Sequence, residues 1–239
     1  SLTDALLPFA HIAPPDTALR MMRLSLLDWT ACGIAGAAEP VAGILRDQAG
    51  PGAGTVIGGA TAGWAEAALI NGTTSHALDY DDTHFAHIGH PSVAVIPAAL
   101  ALAEKTGATL DQMVAAALIG VEASIRTGMW LGRGHYQIGY HQTATAGAFG
   151  ATLAGARLLG LTEDQTRHAL GLAATMASGL KSQFGTMGKP LNAGLAARTG
   201  VEAALWAAAG RTSADDGLAG PPGFGPTPHP APITIRPWR

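Results

Sequence analysis

Alanine and glycine limit what this chain can become. Of its 239 residues, 49 are Ala and 32 are Gly, and with Leu, Ile and Met they recur at helical spacing along nearly the whole length. The alternating β-branched runs that half-buried strands require are almost absent. Small side chains on helices let backbones approach closely. The expected fold is therefore all-α, a compact Ala-rich multi-helix bundle with at most a short strand near 55–57. Such side chains have little chemical reach, so chemistry must come from the few larger polar residues.

Charge narrows the function classes. Only 13% of residues are charged, against about 25% in a typical soluble domain. That is too few for a disordered, coiled-coil or generally basic nucleic-acid-binding chain. A net charge of -3 offers no long-range positive field, so no nucleic-acid or membrane partner is expected and any anion site must be local. Cys32 is the only cysteine, which rules out an intrachain disulfide and a thiolate-held iron-sulfur cluster within one chain. No cofactor is expected. Residues 1–10 lack a basic lead into a long apolar core. No apolar stretch escapes Gly, Pro or charge for the ~18 residues a membrane helix needs. The expected location is cytoplasmic.

Punctuation places the helices. Segments are predicted at 14–37, 40–48, 64–78, 91–106, 110–130, 143–159, 163–178 and 190–209. Pro91 and Pro190 suit first turns, Gly107 and Gly210 suit stops, and Thr162 with Gln165 has capping-box spacing. The segment 40–48 carries apolar residues on all sides and is expected to be buried. Seven of the fifteen prolines fall within 221–239. The domain reading is a helical body over 1–212 and a Pro/Gly-rich tail or truncated linker over 213–239.

Three polar clusters interrupt this background. The first runs from His76 through Asp79, Tyr80, Asp81, Asp82, Thr83, His84 and His87 to His90, placing four of the nine histidines and three carboxylates within fifteen residues. It reads as a hydrogen-bonded helix terminus, as a metal set of His84, His87 and His90 with Asp81 and Asp82, or as a general acid/base group. Pro91 breaks the register before the third histidine, and no metal is expected. The second cluster is the loop His135, Tyr136, Tyr140, His141, Gln142. The third, 181–194, holds two of only three lysines: Lys181, expected at the solvated surface, and Lys189, which precedes Pro190 in a glycine-loosened stretch.

One pattern joins the clusters. His90, His141 and Lys189 each stand at or just before a predicted helix N-terminus, where unpaired N–H groups and a partial positive charge favour carboxylates or phosphates. Converged, they would form an anion site, and the same dipoles would keep both histidines neutral.

At these residues the sequence resembles the MmgE/PrpD family, which includes 2-methylcitrate dehydratase, cis-aconitate decarboxylase and iminodisuccinate epimerase. Asn71-Gly72 through His76, the run 78–83, His90-Pro91-Ser92 and the run 97–100 match its first motif. Gly139-Tyr140-His141 leading into 143–150 matches its second, and 184–191 its third. The third motif commonly continues with His where this chain has Asn192. The second usually reads Gly-Trp-His-Pro where this chain has Gly-Tyr-His-Gln.

The resemblance implies a helical first domain in a homodimer, with metal-free lyase or isomerase chemistry on a small di- or tricarboxylate. By motif position, His90, His141, Lys189, Asp79 and Thr83 would be catalytic. Lys189, His90, Tyr140, Gln142 and Asn192 would contact substrate. The leading expectation is a dehydratase-like proton abstraction beside a carboxylate with loss of water, decarboxylation and epimerisation passing through a related carbanion. Family members continue into a lid domain, so the chain is expected to be an active compact variant, a subunit completed by a lid-bearing partner chain, or a fragment of a longer protein. The alternative from another class is a non-catalytic carboxylate-binding or dimerisation module.

Overall fold

A computed structural model describes residues 1–59 and 61–226. The chain is all-α apart from one two-stranded sheet. In order the elements are α1 (Leu2–Leu6), a 3-10 turn (Leu7–Ala10), α2 (Asp16–Gly36) and α3 (Pro40–Gln48). The strands β1 (Gly54–Thr55) and β2 (Thr61–Ala62) then lead into α4 (Trp64–Ser75) and α5 (Val95–Thr106). After α6 (Leu110–Gln137), α7 (Gln142–Leu159) and α8 (Glu163–Met176), a 3-10 turn (Lys181–Gln183) precedes α9 (Gly188–Ala208).

Local chemistry sets these ends. Thr109 with Gln112 and Thr162 with Gln165 form reciprocal capping boxes at the starts of α6 and α8. Gly107 and Gly160 adopt left-handed conformations that close α5 and α7. The strand expected at 55–57 is shorter and shifted, Gly54 and Thr55 pairing antiparallel with Ala62 and Thr61.

Helix α7 is the centre. It is buried almost continuously from Gln142 to Ala156 and packs on α5, α6, α8 and α9. Around it lie Val95, Ile96, Leu102, Phe149 and Leu153, all fully buried and each contributing roughly 1.5–3 kcal/mol through removal from water. Small residues make the contacts short. A Cβ on Gly120 would lie 2.6 Å from the Gly150 carbonyl oxygen, and one on Gly200 would lie 2.3 Å from the Ala151 Cβ. Gly72 on α4 meets Gly194 on α9 in the same way, its Cβ falling 2.9 Å from the Gly194 Cα.

Three expectations about the helices are corrected. α3 buries only Ala42 and leaves Ile44 49% exposed, because it packs on α4 from one side. α5 begins at Val95, not Pro91: the backbone at 91–94 is still turning, and Ser92 anchors it by donating from Oγ to Asp82 at 2.5 Å. α6 runs on past Trp130 to Gln137, broken at Gly132. It is the one described helix long and apolar enough by composition to span a bilayer, and half of that stretch is buried in the bundle.

The segment after Ser213 folds back through residue 226. Leu218 is fully buried, Asp216 accepts from Thr3 Oγ1 at 2.5 Å, and the Phe224 ring packs 5.5 Å from that of Phe149. The rest of the expected tail, 227–239, lies outside the described residues.

Candidate active site

The segment 79–90 after α4, the kinked end of α6 and the N-termini of α7 and α9 border an open cavity of about 500 Å³, within the range of small-molecule sites. Asp79, Thr83, His90, His141 and Lys189, contributed from three stretches of chain, all line it. Arg133, Phe184, His84 and Ile88 line it too.

The irregular segment between α4 and α5 is held as firmly as a helix. Asp82 receives its anchor from Ser92, and its own N–H donates to Asp28 at 3.1 Å. The His90 N–H donates to Thr143 Oγ1 at 3.0 Å, fixing His90 against the first turn of α7. His84 and Gly89 form an isolated β-bridge. Asp79 and Ile88 carry positive φ values of 60° and 58°. Aspartate tolerates this region, whereas for a β-branched residue it is a strained outlier.

His90 sits between two carboxylates. Its Nε2 lies 3.2 Å from Asp79 Oδ1, and its Nδ1 lies 3.2 Å from Asp81 Oδ2 and 3.0 Å from the Asp81 carbonyl. Burial works against a charged ring, but the Asp81 carboxylate outweighs it and holds the pKa above the usual histidine value. The helix N-terminus expected at His90 is absent, since α5 begins only at Val95. Two acids flank the ring instead.

His141 has the opposite setting. It is 2% exposed at the N-cap of α7, and burial, followed by the positive charges of its neighbours, pushes its pKa down to about 3. Asn192 Nδ2 lies 3.3 Å from the Leu180 carbonyl and 3.3 Å from His141 Nδ1. The carbonyl can only accept, so the amide nitrogen faces both atoms and donates to each. His141 is thus neutral, with its proton on Nε2. Phe184 meets the ring edge-on at 5.0 Å.

Lys189, in the first turn of α9, hydrogen-bonds Asp79 and lies 5.8 Å from the centre of the Phe184 ring. Burial alone would raise the Asp79 pKa, but the Lys189 bond and charge hold it below the ordinary value.

Behind this layer His76 is buried, its Nδ1 donating to both Asp81 oxygens at 2.8 and 3.0 Å. Its ring lies 4.7 Å from that of His90 and 5.9 Å from that of His141. His76 keeps a low pKa through burial. The Asp81 carboxyl, despite burial, is held far below the usual range by His76 and then His90.

Other expected residues stand elsewhere. Tyr140 stacks on His135 at 4.3 Å and lines neighbouring clefts rather than this cavity. Gln142 is fully buried, donating to the Gly128 carbonyl at 2.5 Å, because α7 turns its first residue into the core. Asn192 reaches the cavity only through His141. Lys181 is half-buried instead of solvated: it donates to the Tyr136 carbonyl at 3.1 Å over that residue's ring. Cys32 is buried in α2 with its thiol raised to about 11, chiefly by burial.

The metal set weighed from sequence does not form. His87 is buried with Nε2 3.0 Å from Ser124 Oγ, and Asp82 is engaged by Ser92. A different group converges, since His76, Asp79, Asp81 and His90 each offer an atom within 4.8 Å of the others. These atoms already bond one another, and a cation on Asp79 would have to displace Lys189.

His76, Asp81, Phe184 and Arg133 were not among the residues expected to carry the site. The first two lie in the first polar cluster, but only the fold turns them behind His90. Arg133 lies beyond the expected end of α6.

Comparison with known proteins places these residues in context. Residues 4–229 match the family model for the MmgE/PrpD N-terminal domain. A cis-aconitate decarboxylase of Aspergillus terreus is 35% identical over 209 residues, 82% of this chain and 42% of the relative. The cis-aconitate decarboxylase-like protein oryM of Aspergillus oryzae is 34% identical over 209 residues, 81% of this chain and 43% of the relative. The Homo sapiens cis-aconitate decarboxylase is 33% identical over 150 residues, 60% of this chain and 31% of the relative. The chain thus spans less than half the length of these relatives. A match over nearly the whole chain shows that it belongs to the MmgE/PrpD family.

Proposed function

We propose that this chain carries the proton-transfer half of a lyase site for a small di- or tricarboxylate, with loss of CO2 from a cis-aconitate-like acid as its reaction. The observation that carries the reading is the pair of histidines driven apart in acidity beside one ammonium group. The Asp81 carboxylate shifts His90 toward its protonated form, burial keeps His141 neutral, and Lys189 stands with them in one cavity. Opposed pKa shifts on neighbouring groups are how one site separates acid from base or donor roles.

The chemistry needs little more. The bond to the departing carboxylate breaks, CO2 leaves uncharged, and the electron pair spreads into the remaining unsaturated carboxylate. Lys189 and the Nε2–H of His141 stabilise that charge. His90 then gives its proton to carbon and is reprotonated from water. Decarboxylation consumes a proton and requires no base. Dehydration, the leading expectation from sequence, begins by removing a proton from carbon. His141 as held by Asn192 presents a donor there, so its geometry favours loss of CO2. The names of the relatives support the same order of preference.

The test is to incubate the purified protein with cis-aconitate, following CO2 release and the proton NMR spectrum of the product. Release abolished by His90→Gln with the helical signal intact supports the reading. Absence of turnover with cis-aconitate in the parent protein overturns it, and turnover of citrate-like acids with loss of water instead would restore the dehydratase.

A further inference from the structure

The cavity contains a cation that this account of the reaction does not use. Arg133 lines it from α6, whereas Lys189 enters from α9. Lys189 is matched by Asp79; Arg23, Arg126, Arg167 and Arg198 pair with Asp111, Glu122, Asp4 and Glu202, and Arg46, Arg157 and Lys181 donate to backbone carbonyls. Among the described residues Arg133 forms neither an ion pair nor a hydrogen bond. Arg133 is exposed, and its side chain borders the same cavity as Lys189 with no described carboxylate paired to it.

The backbone is shaped to put it there. Gly132 interrupts α6 with φ 71° and ψ 178°, a region open essentially to glycine alone. A Cβ at Gly132 would meet nothing within 4 Å. Close packing therefore does not require this glycine; the break in the helix does. Beyond the break, Arg133 and Tyr136, three residues apart on one helical face, both line the cavity.

Resting on the lyase reading above, we propose that Arg133 is a specificity-determining residue that grips the third carboxylate of a tricarboxylate substrate, the others being met by Lys189 and by the Nε2–H of His141. A guanidinium fork suits a carboxylate bidentately. A dicarboxylate fills the Lys189 and His141 positions and leaves Arg133 idle. The site would thus select by the number of carboxylates.

The experiment compares the parent protein with Arg133→Gln and Arg133→Lys, using equilibrium binding of tricarballylate and glutarate at low salt and steady-state kinetics with cis-aconitate. Arg133→Gln should weaken tricarballylate and raise the KM for cis-aconitate roughly 10- to 100-fold. Glutarate affinity and kcat should stay within about threefold, the scale of ordinary context effects. Arg133→Lys should recover only part of the loss, since an ammonium cannot fork. Equal affinities in Arg133→Gln and parent overturn the inference, as does equal weakening of both acids. If the parent binds tricarballylate but does not turn over cis-aconitate, the binding comparison still decides the role of Arg133, and only the decarboxylase reading fails. A parent that binds neither acid overturns both.

Discussion

The Asn192 amide nitrogen lies 3.3 Å from His141 Nδ1 and, by also facing the Leu180 carbonyl, fixes which ring nitrogen of His141 carries the proton. Asn192→Asp would reverse this. A carboxylate would draw the proton onto Nδ1, bare Nε2 toward the cavity and raise the pKa of the ring. We expect decarboxylation to fall by at least about tenfold at neutral pH, a loss of roughly 1.4 kcal/mol of transition-state stabilisation. Nitrogen NMR of His141 should show the exchanged tautomer. An unaltered tautomer with unaltered rate would dismiss the positioning role.

Asp79 ties His90 to Lys189. Asp79→Asn removes one of the two carboxylates that favour the imidazolium, so the raised pKa of His90 should move down. If His90 acts as the acid, the alkaline limb of kcat/KM moves to lower pH with it. Lys189→Met should lower kcat/KM by about 10²- to 10³-fold, the cost typical of losing one donor to a developing anion. An alkaline limb that stays put in Asp79→Asn would assign it to another group.

Acid should weaken the fold before it protonates the carboxylates. His87 and His141 both have pKa values lowered by burial to about 3. The unfolded chain takes up their protons near pH 6.5, while the folded chain does not until about pH 3. Their contribution is therefore complete above about pH 6.5 and is lost as pH falls, at about 1.4 kcal/mol per pH unit per histidine. His90 contributes with the opposite sign, its part being lost as pH rises through its raised value. Urea midpoints should drop between pH 7 and 4.5, and His87→Gln should lessen the slope; a flat profile would contradict the burial assignment.

Two glycine-to-alanine changes should act in opposite directions. Gly200→Ala drives a methyl to within 2.6 Å of the Ala151 backbone at the α7–α9 crossing and should cost about 1–3 kcal/mol. Gly43→Ala, on α3 with open space around it, should add about 0.4–1 kcal/mol by restricting the unfolded chain. Thermal melts of the pair check both signs.

The helical body was legible because its causes are local. The capping pair at Thr162, the stop at Gly107 and the Ala-rich period of α7 all act within a few residues. Errors fell where distant contacts override local signals. α5 starts late because Ser92 is held by Asp82, and α6 continues beyond Trp130 because a glycine can break a helix and let it resume. Residues 213–226 look like a tail by composition, yet they carry Leu218 and Phe224 into the core.

The sequence by itself determined the class of fold and the polar residue types available for chemistry, since both follow from composition and short-range spacing. Only the tertiary structure decided the state of each group. It placed His90 between two acids, His141 against a buried amide, Gln142 in the core and Arg133 at the cavity wall. Protonation and reach depend on neighbours brought together from as far apart as Asp79 and Lys189, and the spacing of residues along one chain does not encode those distances.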